Sequence, residues 1–509
     1  MADSDVDSSR KLRPSWRSIW TIGLTHGRPK RPRSPSSRAS PSPESVHSCR
    51  VSVRRARFST VAAVAAVLAA LAVPARAAEY FVSAGGVGNG SGSFPFGRIQ
   101  DALNAARAGD VITVAPGTYT ESLSTVRSGS ARAPITLRAA QPRTAIVTSP
   151  GRILHVTHPY LVVDGLVLDG QYAGDDTVRV TSSGDFFVLR NTEVRRSSKD
   201  LIDMAAPEGV LIDGSLLHHA LNAAGGRSDA HGIVAGAVRD LTIRGTEIHT
   251  FSGDGLQVDP GRAEPGWDRV TIEGSKIWLA PLPAAENGFA AGAVPGENAV
   301  DTKASATNVR SRITIRDTIA SGFRDGFIAN MAAFNFKEYV DATVDGVTVF
   351  DSQIAFRLRG PDDGARVLVK NAVVYDVATA FRYEDDIQNL RIWNSTIGGN
   401  VSRTFQAASA LKATLDVRNL LSMPALTSEA KPSSNLRVSA SSFVDASTHD
   451  YHLAPGSPAI DSGEGLGDVT IDRDDLARPQ GSRYDVGAYE RPAGTTGGTA
   501  AADGAPAPR

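Results

Sequence analysis

Cysteine is almost missing from this chain of 509 residues: the single one, Cys49, stands ahead of the apolar run Val61–Val73. Downstream of that run there is no thiol, disulfide or thiolate metal site, and no cysteine where a lipoprotein anchor would need one. Long hydrophobic stretches are missing too. Val61–Val73 is 13 residues long, whereas a membrane-spanning helix takes about 20. Nor is there an excess of positive charge in the body of the chain. From residue 78 onward 40 Lys/Arg face 50 Asp/Glu, and the formal net charge is zero only because residues 1–58 carry 13 Lys/Arg against 4 Asp/Glu. An acidic body excludes general nucleic-acid binding, which needs a basic footprint to displace counterions.

What is present at the N-terminus reads as targeting. Arg54, Arg55 and Arg57 precede the apolar run, and Ala75-Arg76-Ala77 follows it. A basic flank, an apolar stretch and small residues at the two positions a signal peptidase reads predict a signal peptide over 51–77. Cleavage after Ala77 and a secreted, extracellular product follow. Residues 1–50, rich in Ser, Pro and Arg, read as a disordered extension or as sequence upstream of a true start near Val51. The Gly/Thr/Ala/Pro-rich segment 492–509 reads as a flexible tail. One domain, expected to be monomeric, is left over 78–491.

That domain is periodic. Short β-branched runs end in a turn residue at Gly165, Asn191, Gly214, Gly245, Gly274, Asp317, Gly346, Asn371, Asn394 and Asn419, most spaced by 23 to 31 residues and one by 43. Strand-and-turn units at a fixed period bury their apolar faces against their neighbours. The Leu-x-x-Leu-x-Leu pattern of leucine-rich repeats is missing, and so is the repeated four-strand blade of a propeller. Asn tolerates left-handed φ and can ladder its amides, so stacked parallel coils are expected, with one inserted loop at the long spacing. Ile99, Ala102, Leu103 and Ala106 fall at helical spacing and predict a short amphipathic helix covering the open end of the first coil.

Tyr80-Phe81-Val82-Ser83, the Ile99–Leu103 helix and the run from Gly109 to Tyr119 resemble the opening of bacterial right-handed parallel β-helix proteins of the pectate-lyase-like superfamily. Asp450–Leu453, Gly456–Asp461 and Asp485–Glu490 resemble the closing segment of the same group. The likeness covers nearly all of 79–491. It implies an all-β, single-stranded right-handed solenoid, a fold that hosts lyases, hydrolases, epimerases and adhesins.

A later strand in each coil aligns on a small residue. The next residues, Ile233, Leu256, Val300, Phe327, Phe356 and Phe381, are expected to point inward. Alternation then sends two columns outward: Val234, Gln257, Asp301, Ile328, Arg357, Arg382, and Gly236, Asp259, Lys303, Asn330, Arg359, Glu384. Carboxylates in such a stripe suit a hard cation such as Ca²⁺. Arginines suit a uronate carboxylate, and a lysine of lowered pKa can take the proton α to it.

This combination is similar to polysaccharide lyase family 9. The resemblance implies Lys303 as base and Asp254, Asp259 and Asp301 as Ca²⁺ ligands. Arg357, Arg359, Gln257 and Asn330 would meet an extracellular acidic polysaccharide. The family's ligand run carries adjacent aspartates, and Ser252–Asp259 has none. Two other readings stay open: a non-catalytic carbohydrate-binding or surface β-helix, and a glycoside hydrolase with paired aspartates. The Gly-His-Gly and Arg-Ile-Lys signatures of polygalacturonases are missing. His231, two residues after Asp229, is expected to be a solvated turn histidine. The segment Trp278–Glu297 is expected to wall the stripe. Trp267, Trp278, Phe289, Phe323, Phe334 and Phe336 would offer rings to sugars.

Overall fold

In a computed structural model the chain is described over residues 77–494, apart from 224–228, 261–265, 304–308, 338, 361–363, 385–388, 409–413 and 431–433. The expected signal peptide, N-terminal extension and most of the tail lie outside these residues. Each coil gives one strand to each of three parallel sheets, the first and second of thirteen strands and the third of eleven. One coil runs Arg239–Arg244, Glu247–Phe251, Leu256–Asp259. Stacking is in register: Ile212 pairs with Ile243 and Ile243 with Ile272, and all three are buried. The chain is the expected parallel β-helix.

The turn between the first and second sheets explains the Gly/Asn/Asp punctuation. All ten predicted turn residues, from Gly165 to Asn419, hold a φ between 43° and 75°. That region disfavours most side chains and admits Gly, Asn and Asp. The amides ladder as expected, Asn419 Nδ2 donating to Asn394 Oδ1 at 3.1 Å. Just after the turn a buried Ser/Thr row faces backbone amides. Ser275 Oγ accepts from Thr246 N at 3.2 Å, and Thr246 Oγ1 from Ser215 N at 3.4 Å. These bonds satisfy polar groups that a sharp buried corner would otherwise strand.

Inside the third sheet, Phe334, Phe356, Phe381 and Phe405 stack ring on ring at 5.5, 5.1 and 5.6 Å. The helix Ile99–Ala105 packs Ile99, Ala102 and Leu103 onto the first coil. At the other end the closing segment is held by a fully buried ion pair, Arg478 to Glu490 at 2.7 Å. The extra residues of the 43-residue spacing lie between the strands Lys276–Trp278 and Val300–Thr302, where the second sheet passes to the third. No helix among the described residues is long and apolar enough to cross a membrane.

Candidate functional site on the third sheet

The outward column of the third sheet is Arg179, Asp203, Val234, Gln257, Asp301, Asn335, Arg357, Arg382, Gln406. It matches the sequence-derived column except in one coil. There the strand is Ala332–Phe336, so Phe334, Asn335 and Lys337 fill the places expected for Phe327, Ile328 and Asn330. Gly326-Phe327-Ile328 and Ala333-Phe334-Asn335 carry the same small–aromatic signal seven residues apart. The first is interrupted by left-handed residues at Asp325 and Asn330, which turn the chain before it can pair. Phe327, expected in the core, is 65% exposed.

Asp301 is the centre of the column. Rather than exposed, it is 1% exposed, and three side chains converge on it. Lys337 Nζ donates at 2.9 Å, Asn335 Nδ2 at 2.8 Å, and Lys303 Nζ pairs with the same carboxylate. The two lysines differ. Burial alone would lower the Lys303 ammonium, but the Asp301 charge outweighs it and holds Lys303 above the ordinary lysine value. For Lys337 burial wins over Asp301, aided by the charge of Lys303, and the group sits below that value. Asn335 Oδ1 is buried with no hydrogen-bond partner.

A second row, two residues before each strand, lines the corner beside this column: Asp176, Asp200, His231, Asp254, Asn298, all buried. His231 is thus no solvated turn residue. Its Nδ1 meets Asp200 Oδ1 at 2.8 Å and its Nε2 lies 3.8 Å from Asp254 Oδ2. Burial would lower His231, but the Asp200 bond and the Asp254 charge hold it above its ordinary value. Asn298 Nδ2 donates to Asp254 Oδ1 at 2.8 Å. Burial, reinforced by the Asp301 charge, pushes the Asp254 carboxyl up to about 7.

Asp254 therefore keeps its proton in the folded chain over a pH range where the unfolded chain, with an ordinary value of 3.8, has lost it. Stability from this group is fullest below the unfolded value and is lost as pH rises toward 7. The thermal midpoint, measured with chelator present, is expected to fall between about pH 4 and pH 7, the span from the unfolded to the folded value. Asp254→Asn, which keeps the shape, should make that slope shallower.

The sequence-derived ligand set Asp254, Asp259 and Asp301 does not gather into one carboxylate group. Asp254 is engaged by His231 and Asn298, Asp301 by the lysines, and Asp259 lies beside Gln257 Nε2 at 3.5 Å. Among the described residues the group whose oxygens all lie within 4.8 Å of one another is Asp176, Asp200 and Asp203. Three hard oxygen donors fit a divalent cation of the Ca²⁺ kind. Arg179 and His231 now occupy part of that donor set. Asp203 and Asp259 also border an open groove of about 670 Å³, floored by Ala205, Val234, Gly236 and Ala237.

Above Asp301 the stripe turns basic. Arg357 Nε reaches Glu384 at 2.5 Å, Arg359 at 3.5 Å and Arg382 at 3.7 Å, three guanidiniums on one carboxylate. The Nε atoms of Arg359 and Arg382 are buried without hydrogen-bond partners. Asn330 lies outside the column, yet its carbonyl accepts from Arg357 Nη1 at 3.5 Å.

The long segment after Trp278 runs back along the corner over earlier coils. Tyr172 Oη donates to Glu286 at 2.5 Å, Asn287 Nδ2 bonds the Leu221 carbonyl, and Leu282 and Phe289 pack on Leu221. The rings expected to face sugars are mostly interior: Trp267, Phe289, Phe323, Phe334 and Phe336 are buried. Trp278 is half-buried and stacks on His249 at 4.5 Å.

No family model matches the sequence, and no curated protein matches it. Among solved structures, pectate lyase Pel9A superposes with a TM-score of 0.50 at 18% identity, over 81% of this chain and 96% of its own. A rhamnogalacturonan lyase gives 0.45 at 14% identity, over 74% and 95%. An alginate lyase from Paenibacillus sp. str. FPU-7 gives 0.43 at 16%, over 66% and 99%. The likeness to Pel9A is one of fold: both chains form a parallel β-helix.

Proposed function

We propose that the outward stripe of the third sheet binds a uronate-containing extracellular polysaccharide and cleaves it by β-elimination. The observation that carries this reading is the pair Lys303 and Lys337 on one buried carboxylate, with arginines in the coils above. The neighbour Pel9A is named for a reaction of this class. In our reading a uronate carboxylate lies on Arg357 and Arg359, which lowers the cost of charge developing on it. Gln257 contacts the sugar below. An amine takes the proton α to the carboxylate, that C–H electron pair becomes the new C=C bond, and the glycosidic C–O bond at the β carbon breaks. The leaving oxygen takes up a proton.

Lys303, the base implied by the family resemblance, is held protonated by Asp301. The proton-accepting role therefore goes to Lys337, whose burial favours the neutral amine. Lys303 keeps its charge and holds the substrate anion. Ca²⁺ would sit on Asp176, Asp200 and Asp203, where it would supply charge neutralisation for an acidic ligand. The exported chain begins at Ala78 and acts as a monomer.

The test is to incubate the protein with pectate, alginate and glycosaminoglycans and follow the ultraviolet absorbance of unsaturated products. Turnover that falls on chelation, with the thermal midpoint nearly unchanged, is expected. Binding without turnover would establish the non-catalytic reading. New reducing ends without absorbance would establish hydrolysis, a second reading favoured by protonated Asp254 beside Asp301.

A further inference from the structure

We infer that Phe327 is a stacking platform for a sugar ring, carried on the turn whose Asn330 carbonyl meets Arg357. The inference rests on the stripe being a polyuronide site and adds to it a residue that selects ring orientation. Phe327 keeps 65% of its surface in water, while the neighbouring aromatics Phe289, Phe323, Phe334 and Phe336 are buried. Leaving such a ring exposed forgoes much of the stabilisation its burial would bring.

The ring is not a loose loop tip. Its inner side rests on Phe289, centroids 5.6 Å apart, so the long inserted segment supports it from behind. Gly326 N donates to Met331 Sδ at 3.1 Å, closing the turn, and Met331 N donates to Gln353 Oε1 at 3.1 Å. The Asn330 carbonyl then accepts from Arg357, tying the turn to the basic part of the stripe. A flat apolar face is thus braced three residues from the backbone atom that touches Arg357.

The ligand class follows from that pairing. An apolar face on a turn tied to a guanidinium suits a pyranose ring, whose axial C–H groups would pack on the aromatic while its carboxylate reaches toward Arg357. A neutral sugar would use only the ring, and a small anion only the arginine. Both together select a uronosyl unit. Because the braced ring cannot follow the ligand, the unit must lie flat against it, which fixes the angle at which the chain enters the stripe.

The experiment is calorimetric titration of the full chain with oligogalacturonate and oligoguluronate, with maltohexaose as the neutral control. Phe327→Ala and Phe327→Leu are expected to raise Kd on the order of tenfold, the loss of one ring's contact area. Phe327→Tyr and Phe327→Trp should retain affinity, and the Trp variant should change emission on binding. Leu acting like Phe would show that apolar cover, not a planar face, is what matters, and would overturn the inference. So would an alanine variant that binds as the unaltered protein does, or one whose only change is in oligomeric state by light scattering. In those cases the polyuronide reading itself survives. If the unaltered protein binds neither acidic oligomer, both fall together.

Discussion

Lys337→Ala is expected to lower kcat on a uronate polymer by about 10²–10⁴-fold, the usual cost of a missing positioned base, while the coil stays folded. Its removal leaves Asp301 still paired with Lys303 and Asn335, so no buried charge is orphaned. Lys303→Ala should act differently. It removes a charge that holds the anion, so KM should rise more than kcat falls. It also removes a neighbour that depresses Lys337, so the rise of kcat with pH should move to higher pH. If Lys303 were the base, the two variants would exchange these signatures, and pH profiles of both decide it.

The largest loss of stability is expected from Phe356→Ala, about 3–5 kcal/mol. Phe356 is fully buried and stacks on both Phe334 and Phe381, so truncation leaves a gap with rings on either side. Because coils in a solenoid contact only their neighbours, the damage should stay local. Hydrogen exchange should quicken first in the strands 332–336, 352–358 and 377–383, and the denaturant midpoint should fall. Phe327→Ala, by contrast, removes an exposed ring and should change stability by no more than roughly 0.5 kcal/mol.

The turn row was legible because its constraint is local. A left-handed φ restricts residue type at that position whatever packs around it, and the same restriction recurs at each coil. The outward column was legible in five of six coils for a similar reason, strict alternation. It failed where Gly326-Phe327 and Ala333-Phe334 offered equivalent registers, and pairing partners, which lie a coil away, made the choice. Lys337 was missed through that slip alone.

In the buried corner row Asp254 and His231 were named singly, but the row itself, with Asp176, Asp200 and Asn298, was missed for another reason. Asp176, Asp200, His231, Asp254 and Asn298 precede the strands, where alternation gives no direction. Their spacing nonetheless repeats that of the strand starts Val178, Ile202, Ile233, Leu256 and Val300, a signal open to inspection. The burial of Asp301 was not legible at all. It depends on long side chains of adjacent coils folding over the carboxylate, and no pattern along one strand encodes that.

Along the stripe and the corner row beside it the charge changes sign, from Asp203 with Asp176 and Asp200 at one end to Arg357, Arg359 and Arg382 at the other. The two fragments of a severed polyanion are then held unequally. On the proposed cleavage, the one over the guanidiniums is expected to be held longer, and the one near the carboxylates to depart first. A divalent ion on the three aspartates would narrow that difference. The ratio of the two departure rates, followed with an end-labelled oligomer, therefore reports on metal occupancy without any measurement of the metal.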